Sequence, residues 1–148
     1  MTQRSDPLQS YRKVTTQTAP PEHLVLMLYD GAINFLERGL MGFNYSDVLE
    51  FNLTINNNVQ RAQAIIYEMN ARLDMKKGGE IAENFRRLYT YLYRRLQEAN
   101  LKKKKPPIEE VIGHLRELRE GWAEMLRRGQ GTDGDPASQP AGTDLPLG

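Results

Sequence analysis

Apolar residues recur along most of this chain in steps of three and four, the spacing that lines one face of an α-helix. The clearest run is Val48, Phe51, Ile55, Val59, Ala62, Ile66, Met69 and Leu73. Ile81, Phe85, Leu88, Leu92, Leu96 and Ala99 make a second stripe. Leu24, Met27, Leu28, Gly31, Ala32, Phe35 and Leu36 make a wider one, and Ile108, Val111, Leu115, Leu118, Trp122 and Met125 a fourth. An isolated stripe has nothing to bury against, so four of them predict an all-α fold, an antiparallel four-helix bundle.

The polar punctuation between the stripes agrees. Pro20-Pro21-Glu22 opens the first helix, with proline where its missing N–H costs nothing and an acid at the positive end of the dipole. Gly39 to Tyr45 interrupts the pattern, and Ser46-Asp47 offers a cap for the second helix. Asp74 to Gly79 makes the next turn; no Gly-Lys-Ser/Thr follows Gly78-Gly79, so it is not a phosphate loop. Lys102 to Lys105 with Pro106-Pro107 forms the last connection. Gly31-Ala32 within a stripe predicts a close approach by a neighbouring helix.

Outside the stripes the composition changes. Residues 1–19 are polar, with Leu8, Tyr11 and Val14 three apart as apolar points; they are a frayed end or a short turn of helix that docks on the bundle. The stretch 129–148 is rich in Gly and Pro and too poor in large apolar groups to order itself. The expected organisation is a mobile N-terminal segment over 1–19, a bundle over 20–128 and a disordered tail over 129–148.

Charge and chemistry narrow the function. A net charge of +1 gives no global field toward nucleic acid or anionic membrane. The chain has no cysteine, hence no disulfide, thiol catalysis or thiolate metal ligand. The polar start lacks the apolar core of a secretory signal, and no apolar run is long enough to insert into a membrane, so a cytoplasmic protein is expected. His23 and His114 are the only histidines; Glu110 and His114 stand four apart, not in the Glu-x-x-His spacing of di-iron bundles. No nucleophile, paired acid–base set or cofactor motif is visible, so the chain reads as no enzyme, with no cofactor and no metal.

Two binding readings remain. Lys102 to Lys105, with Arg86, Arg87, Arg94 and Arg95 among tyrosines, suggests a helical protein that holds single-stranded nucleic acid. Balanced overall charge and the placement of the lysines in a loop argue for no nucleic acid. The other reading is a protein-binding groove. Tyr89 and Tyr93 flank the third helix's stripe, Tyr67 lies on the second helix, and Asn52, Asn56, Asn57 and Asn58 supply amides that both donate and accept. The same residues would also suit an ordinary bundle edge.

A set of short motifs, in one order, adds a resemblance. Leu26-Met27-Leu28-Tyr29-Asp30-Gly31-Ala32, Arg61-Ala62-Gln63-Ala64-Ile65-Ile66, Gly78-Gly79-Glu80-Ile81-Ala82-Glu83-Asn84 and Leu88-Tyr89-Thr90-Tyr91 carry it. Arg94-Arg95-Leu96, Glu98-Ala99-Asn100-Leu101, Glu109-Glu110-Val111 and Leu118-Arg119 with Trp122 continue it, from about Tyr11 to Leu126. In these the chain resembles the flagellin export chaperone family called FliS. The resemblance implies a cytoplasmic, nonenzymatic chaperone that binds the disordered C-terminal segment of flagellin. It would prevent premature polymerisation and assist delivery to the flagellar type III export gate. A wrapped client needs backbone partners and apolar seats; Asn56, Asn58, Ile55, Tyr67, Tyr89, Tyr93, Leu96 and Asn100 are the expected groove residues. The resemblance further implies that an N-terminal latch of Leu8, Tyr11 and Val14 packs over part of that groove until displaced. Pro20 stands where many relatives carry Ser, and Lys102 to Pro107 replaces a polar, Asp-containing connection.

Overall fold

A computed structural model of the chain describes residues 20–131. Four helices account for nearly all of them: α1, Pro21–Met41; α2, Val48–Ala71; α3, Met75–Lys102; and α4, Lys105–Gly131. A 3-10 turn, Gly42–Asn44, follows α1 directly. No strand occurs among the described residues.

The helix ends are set by local chemistry. Pro20 is the N-cap of α1 and makes no side-chain capping bond, consistent with proline supplying a fixed φ instead of an acceptor. Asp47 caps α2 by accepting from the Glu50 N–H at 2.9 Å. Asp74 accepts from the N–H groups of Lys76 and Lys77 at 3.1 and 3.0 Å. Five residues after Asp74, Gly79 takes φ 53° and ψ −129°, so α3 is a single opening turn followed by a long helix, and only glycine adopts that angle pair without strain. At the far end Lys103 sits in the left-handed region at φ 51°, and the Lys104 N–H closes the helix on the Ala99 carbonyl at 3.0 Å.

Cross-links between helices establish the antiparallel order. Along α1 and α4, Glu22 meets Trp122, Asp30 meets Arg119 and Glu37 meets Arg116, so one numbering rises as the other falls. Asn56–Asn100, Gln63–Gln97 and Asn70–Arg86 do the same for α2 and α3. Each helix packs on two neighbours, α1 with α2 and α4, and α3 with α2 and α4, as an up-down-up-down bundle requires.

Within the bundle the four stripes meet, with Leu28, Leu36, Ile55, Ile66, Leu92, Leu96, Ile108 and Leu115 shielded from solvent. Several positions depart from the stripes drawn by spacing. Ile81, directly after the Gly79 break, is 41% exposed, and Val48, at the first position of α2, is 72% exposed. Both are at helix starts, where the facing helix no longer covers the stripe. Phe85 and Leu88 are partly buried, while Tyr89 lies fully inside. The third helix therefore turns its Tyr89 edge inward. α1 continues through Gly39 to Met41, and α4 runs to Gly131, beyond the expected bundle boundary at 128. One tight interhelical approach is at Gly42, where a Cβ would come to 3.0 Å from Ile55 and Thr54 side-chain atoms. The latch residues Leu8, Tyr11 and Val14, the 1–19 segment and the tail beyond 131 lie outside the described residues.

Candidate functional site

The α2–α3 seam differs from the rest of the bundle because amides hold its outer edge. Asn100 donates to the Asn56 side-chain carbonyl at 2.9 Å. One helix segment further on, Gln63 donates to the Tyr93 backbone carbonyl at 3.2 Å and to the Gln97 side chain at 3.1 Å. Arg86 closes the far end on the Asn70 side-chain and backbone oxygens, both at 3.3 Å. These groups satisfy one another at the rim of the core, where Asn56 also donates to the Asn57 side chain at 3.5 Å and Asn100 also accepts from the Lys103 ammonium.

The Asn56–Asn100 bond fixes the register of an exposed apolar band. Leu53 lies one turn before Asn56, Leu49 another turn before that, and Leu101 follows Asn100. All three are exposed, Leu101 at 76%. Met41, Tyr45 and Val48, around the α1–α2 connection, are exposed too. Large apolar side chains gathered near one end of a bundle, beside a polar amide seam, are a surface suited to a partner chain.

The expected groove residues divide between this surface and the interior. Asn56 and Asn100 come together as described. Tyr67 and Tyr93 are exposed, and the Tyr93 carbonyl takes part in the seam. Asn58 is buried and donates to the Thr54 carbonyl at 2.8 Å, one turn back on its own helix, so it offers little to an outside backbone. Ile55, Leu96 and Tyr89 are at 0% exposure and form the floor beneath the seam, not its surface. For Tyr89 the reason is a partner in the core: its hydroxyl lies 2.7 Å from that of Tyr29. Leu49, Leu53, Leu101 and Gln97 are surface residues that the stripes do not include, and Gln63, only 5% exposed, is a buried seam residue that they also omit. The signal for the first two was present, since Leu49 and Leu53 are four apart and off the α2 stripe.

The lysine loop is committed to structure. Lys102 pairs with Glu98 at 3.5 Å, and Lys103 turns back to donate to the Asn100 carbonyl at 2.8 Å, its burial holding its ammonium below the usual lysine range. Lys105 lies 5.9 Å from the Phe43 ring centroid. On the α3–α4 seam Glu110 accepts from the Tyr91 hydroxyl and pairs with Arg95 at 2.9 Å, and these partners, the hydroxyl first, hold its carboxyl below the usual range. His114 lies 3.5 Å from Glu110. Among the described residues no three His, Asp or Glu side chains are grouped so as to hold a metal ion. None of the described helices is long and apolar enough to cross a membrane.

Comparison with known proteins shows the family of the chain. The chain is 34% identical over 122 residues to the flagellar secretion chaperone FliS of Salmonella typhimurium, covering 80% of this chain and 88% of that one. It is 35% identical over 105 residues to the flagellar secretion chaperone FliS of Campylobacter jejuni, covering 71% of this chain and 79% of that one. The Bacillus subtilis flagellar secretion chaperone FliS is 30% identical over 122 residues, 82% of this chain and 87% of its own length. The family model described as flagellar protein FliS matches residues 4–129, which takes in all four helices almost to the end of α4, and the chain belongs to that family.

Proposed function

We propose that this protein is a cytoplasmic export chaperone, without enzymatic activity, that binds the C-terminal segment of flagellin. It prevents premature polymerisation and presents the loaded client to the flagellar type III export gate. The observation that carries this reading is the band of exposed Leu49, Leu53 and Leu101 around the Asn56–Asn100 amide pair. A client that is unfolded when captured offers both apolar side chains and unpaired backbone groups. The band supplies seats for the first, and the amides of Asn56, Asn100 and Gln97 supply partners for the second. Tyr67 and Tyr93 extend the surface with rings that present an apolar body and a polar tip. Capture of this kind must order the client, so affinity grows with the length of surface wrapped and not with one deep pocket.

Leu8, Tyr11 and Val14 complete the proposal as a competitor for the same surface. Three apolar residues spaced three apart suit one face of a short helical turn. Any fraction of chaperone closed in this way lowers the apparent affinity for flagellin by that fraction.

The test is co-purification with flagellin from the same cell, followed by mapping of the flagellin fragment retained after proteolysis. Retention of a C-terminal fragment, with hydrogen-exchange protection gained at Leu49–Asn56 and Gln97–Leu101, is the expected result. Failure to retain flagellin, or protection confined to the opposite α1–α4 face, would overturn the reading.

A further inference from the structure

Arg38 on α1 and Arg61 on α2 converge on one ring, with guanidinium carbons 5.6 and 5.8 Å from the Phe35 centroid. The helices are close here, since a Cβ on Gly39 would lie 3.5 Å from the Asn58 Cβ. Both arginines are exposed, while Phe35 beneath them is buried. Arginines that join α4 to its two neighbours meet carboxylates: Arg119 reaches Asp30 at 2.6 Å, Arg95 reaches Glu110 at 2.9 Å, and Arg116 pairs with Glu37. Arg38 and Arg61 have no acid and no hydrogen-bond acceptor among the described residues. Asn34 and Asn57, each one turn before its arginine, are exposed as well, so this part of the face carries no carboxylate of its own. A guanidinium resting on an aromatic ring is held in place while its N–H edge remains free, which is how arginine is prepared for a planar anion.

We infer that Arg38 and Arg61 form a receiving site for carboxylate side chains on an acidic stretch of bound polypeptide crossing the α1–α2 face. The inference rests on the proposed capture of flagellin and adds a charged anchor, on a different helix pair, to the apolar band of the α2–α3 seam. Charge complementarity favours this occupant: two positioned cations without a counter-charge among the described residues attract acids, and each pair formed makes charge-assisted hydrogen bonds. The anchor fixes the path and register of the client, while the apolar band supplies most of the burial.

The experiment is calorimetric titration of the full chain with the C-terminal segment of the same cell's flagellin, at low and at physiological salt. A second segment carries Asn and Gln in place of its Asp and Glu. R38Q/R61Q is expected to weaken binding of the native segment by about tenfold at low salt and to flatten the salt dependence. The amidated segment is expected to bind wild type with the same loss and to be indifferent to R38Q/R61Q. R38K/R61K, which keeps charge but not the planar guanidinium fork, is expected to keep the salt dependence and recover part of the affinity. Thermal unfolding of both variants checks that the bundle is intact. Wild-type affinity and salt dependence retained by R38Q/R61Q would overturn this inference and leave the flagellin reading standing. No binding of the native segment by wild type would overturn both. Loss in R38Q/R61Q of binding to a single-stranded oligonucleotide, with flagellin binding unchanged, would replace the inference with a phosphate site.

Discussion

The hydroxyls of Tyr29 and Tyr89 meet 2.7 Å apart in the core, joining α1 to α3 across the bundle. Each satisfies the other's only polar atom in a place where water does not reach. Burial pushes the Tyr29 hydroxyl up to about 12 and raises that of Tyr89 well above its usual range. Tyr29→Phe or Tyr89→Phe alone leaves one buried hydroxyl unpaired and should cost about 1–3 kcal/mol, whereas the double replacement should recover most of the loss. Urea denaturation of the three variants measures this cycle; additive losses would show that the two hydroxyls act independently. The same pair sets an alkaline limit. The folded state keeps these protons while the unfolded tyrosines release theirs near pH 10, so stability is full below that value and falls as pH rises toward 12. Phenolate absorbance should therefore show two of the seven tyrosines titrating only as the helical signal is lost.

Trp122 closes the other end of the bundle. Its ring is buried against the core, and its indole N–H donates to the Glu22 carbonyl in the first turn of α1 at 2.8 Å. Trp122→Ala should cost about 3–5 kcal/mol, and Trp122→Phe less, since it keeps most of the burial and gives up the bond. Native emission should be blue-shifted and redden cooperatively with denaturant. A water-like spectrum in the folded chain would contradict this packing.

Gly42 and Gly113 predict opposite signs. A methyl on Gly42 would crowd Thr54 and Ile55 at 3.0 Å, so Gly42→Ala should destabilise by about 1–3 kcal/mol. Gly113 is on the exposed face of α4 with nothing within 4 Å of its would-be Cβ, and Gly113→Ala should stabilise by about 0.5–1 kcal/mol. Thermal melts of the two variants, moving in the same direction, would refute the assignment of Gly42 as the close approach.

The apolar band should separate binding from folding. Leu49→Ser, Leu53→Ser and Leu101→Ser remove exposed side chains, so each should change stability by less than about 0.5 kcal/mol. The triple variant should nevertheless lose most of its affinity for the flagellin segment. Titration beside a melt reads both; unchanged affinity would move the client elsewhere on the bundle.

Lys102, Lys104 and Lys105 replaced by Gln should leave flagellin affinity nearly unchanged, because the loop lacks apolar seats. Lys103 is kept in this variant because its ammonium closes the end of α3 on Asn100. A marked drop in affinity for a single-stranded oligonucleotide, together with a flatter salt dependence, would instead favour a nucleic-acid role.

Periodicity alone determined the number of helices, their order and most of the core, because a stripe wider than a helix can leave in water must find a partner. The cap at Asp47 was equally legible, being chemistry between near neighbours, whereas Asp74 to Gly79, which reads as a plain turn, caps α3 and forms its opening turn. The position of side chains at the stripe edge was not legible. Tyr89 and Tyr93 stand four apart and look alike in sequence, yet one is shielded by Tyr29 from a distant helix and the other is left outside. Asn56 and Asn58 look equally available, but Asn56 meets Asn100 across the seam while Asn58 folds back on Thr54. Val48 continues a stripe that has no facing helix at that level. The rotation and length overlap of neighbouring helices decide these cases, and both are set by packing among residues far apart in the chain. Arg38 and Arg61 lie 23 positions apart in the numbering and on different helices; only the docking of α1 on α2 brings them to one ring.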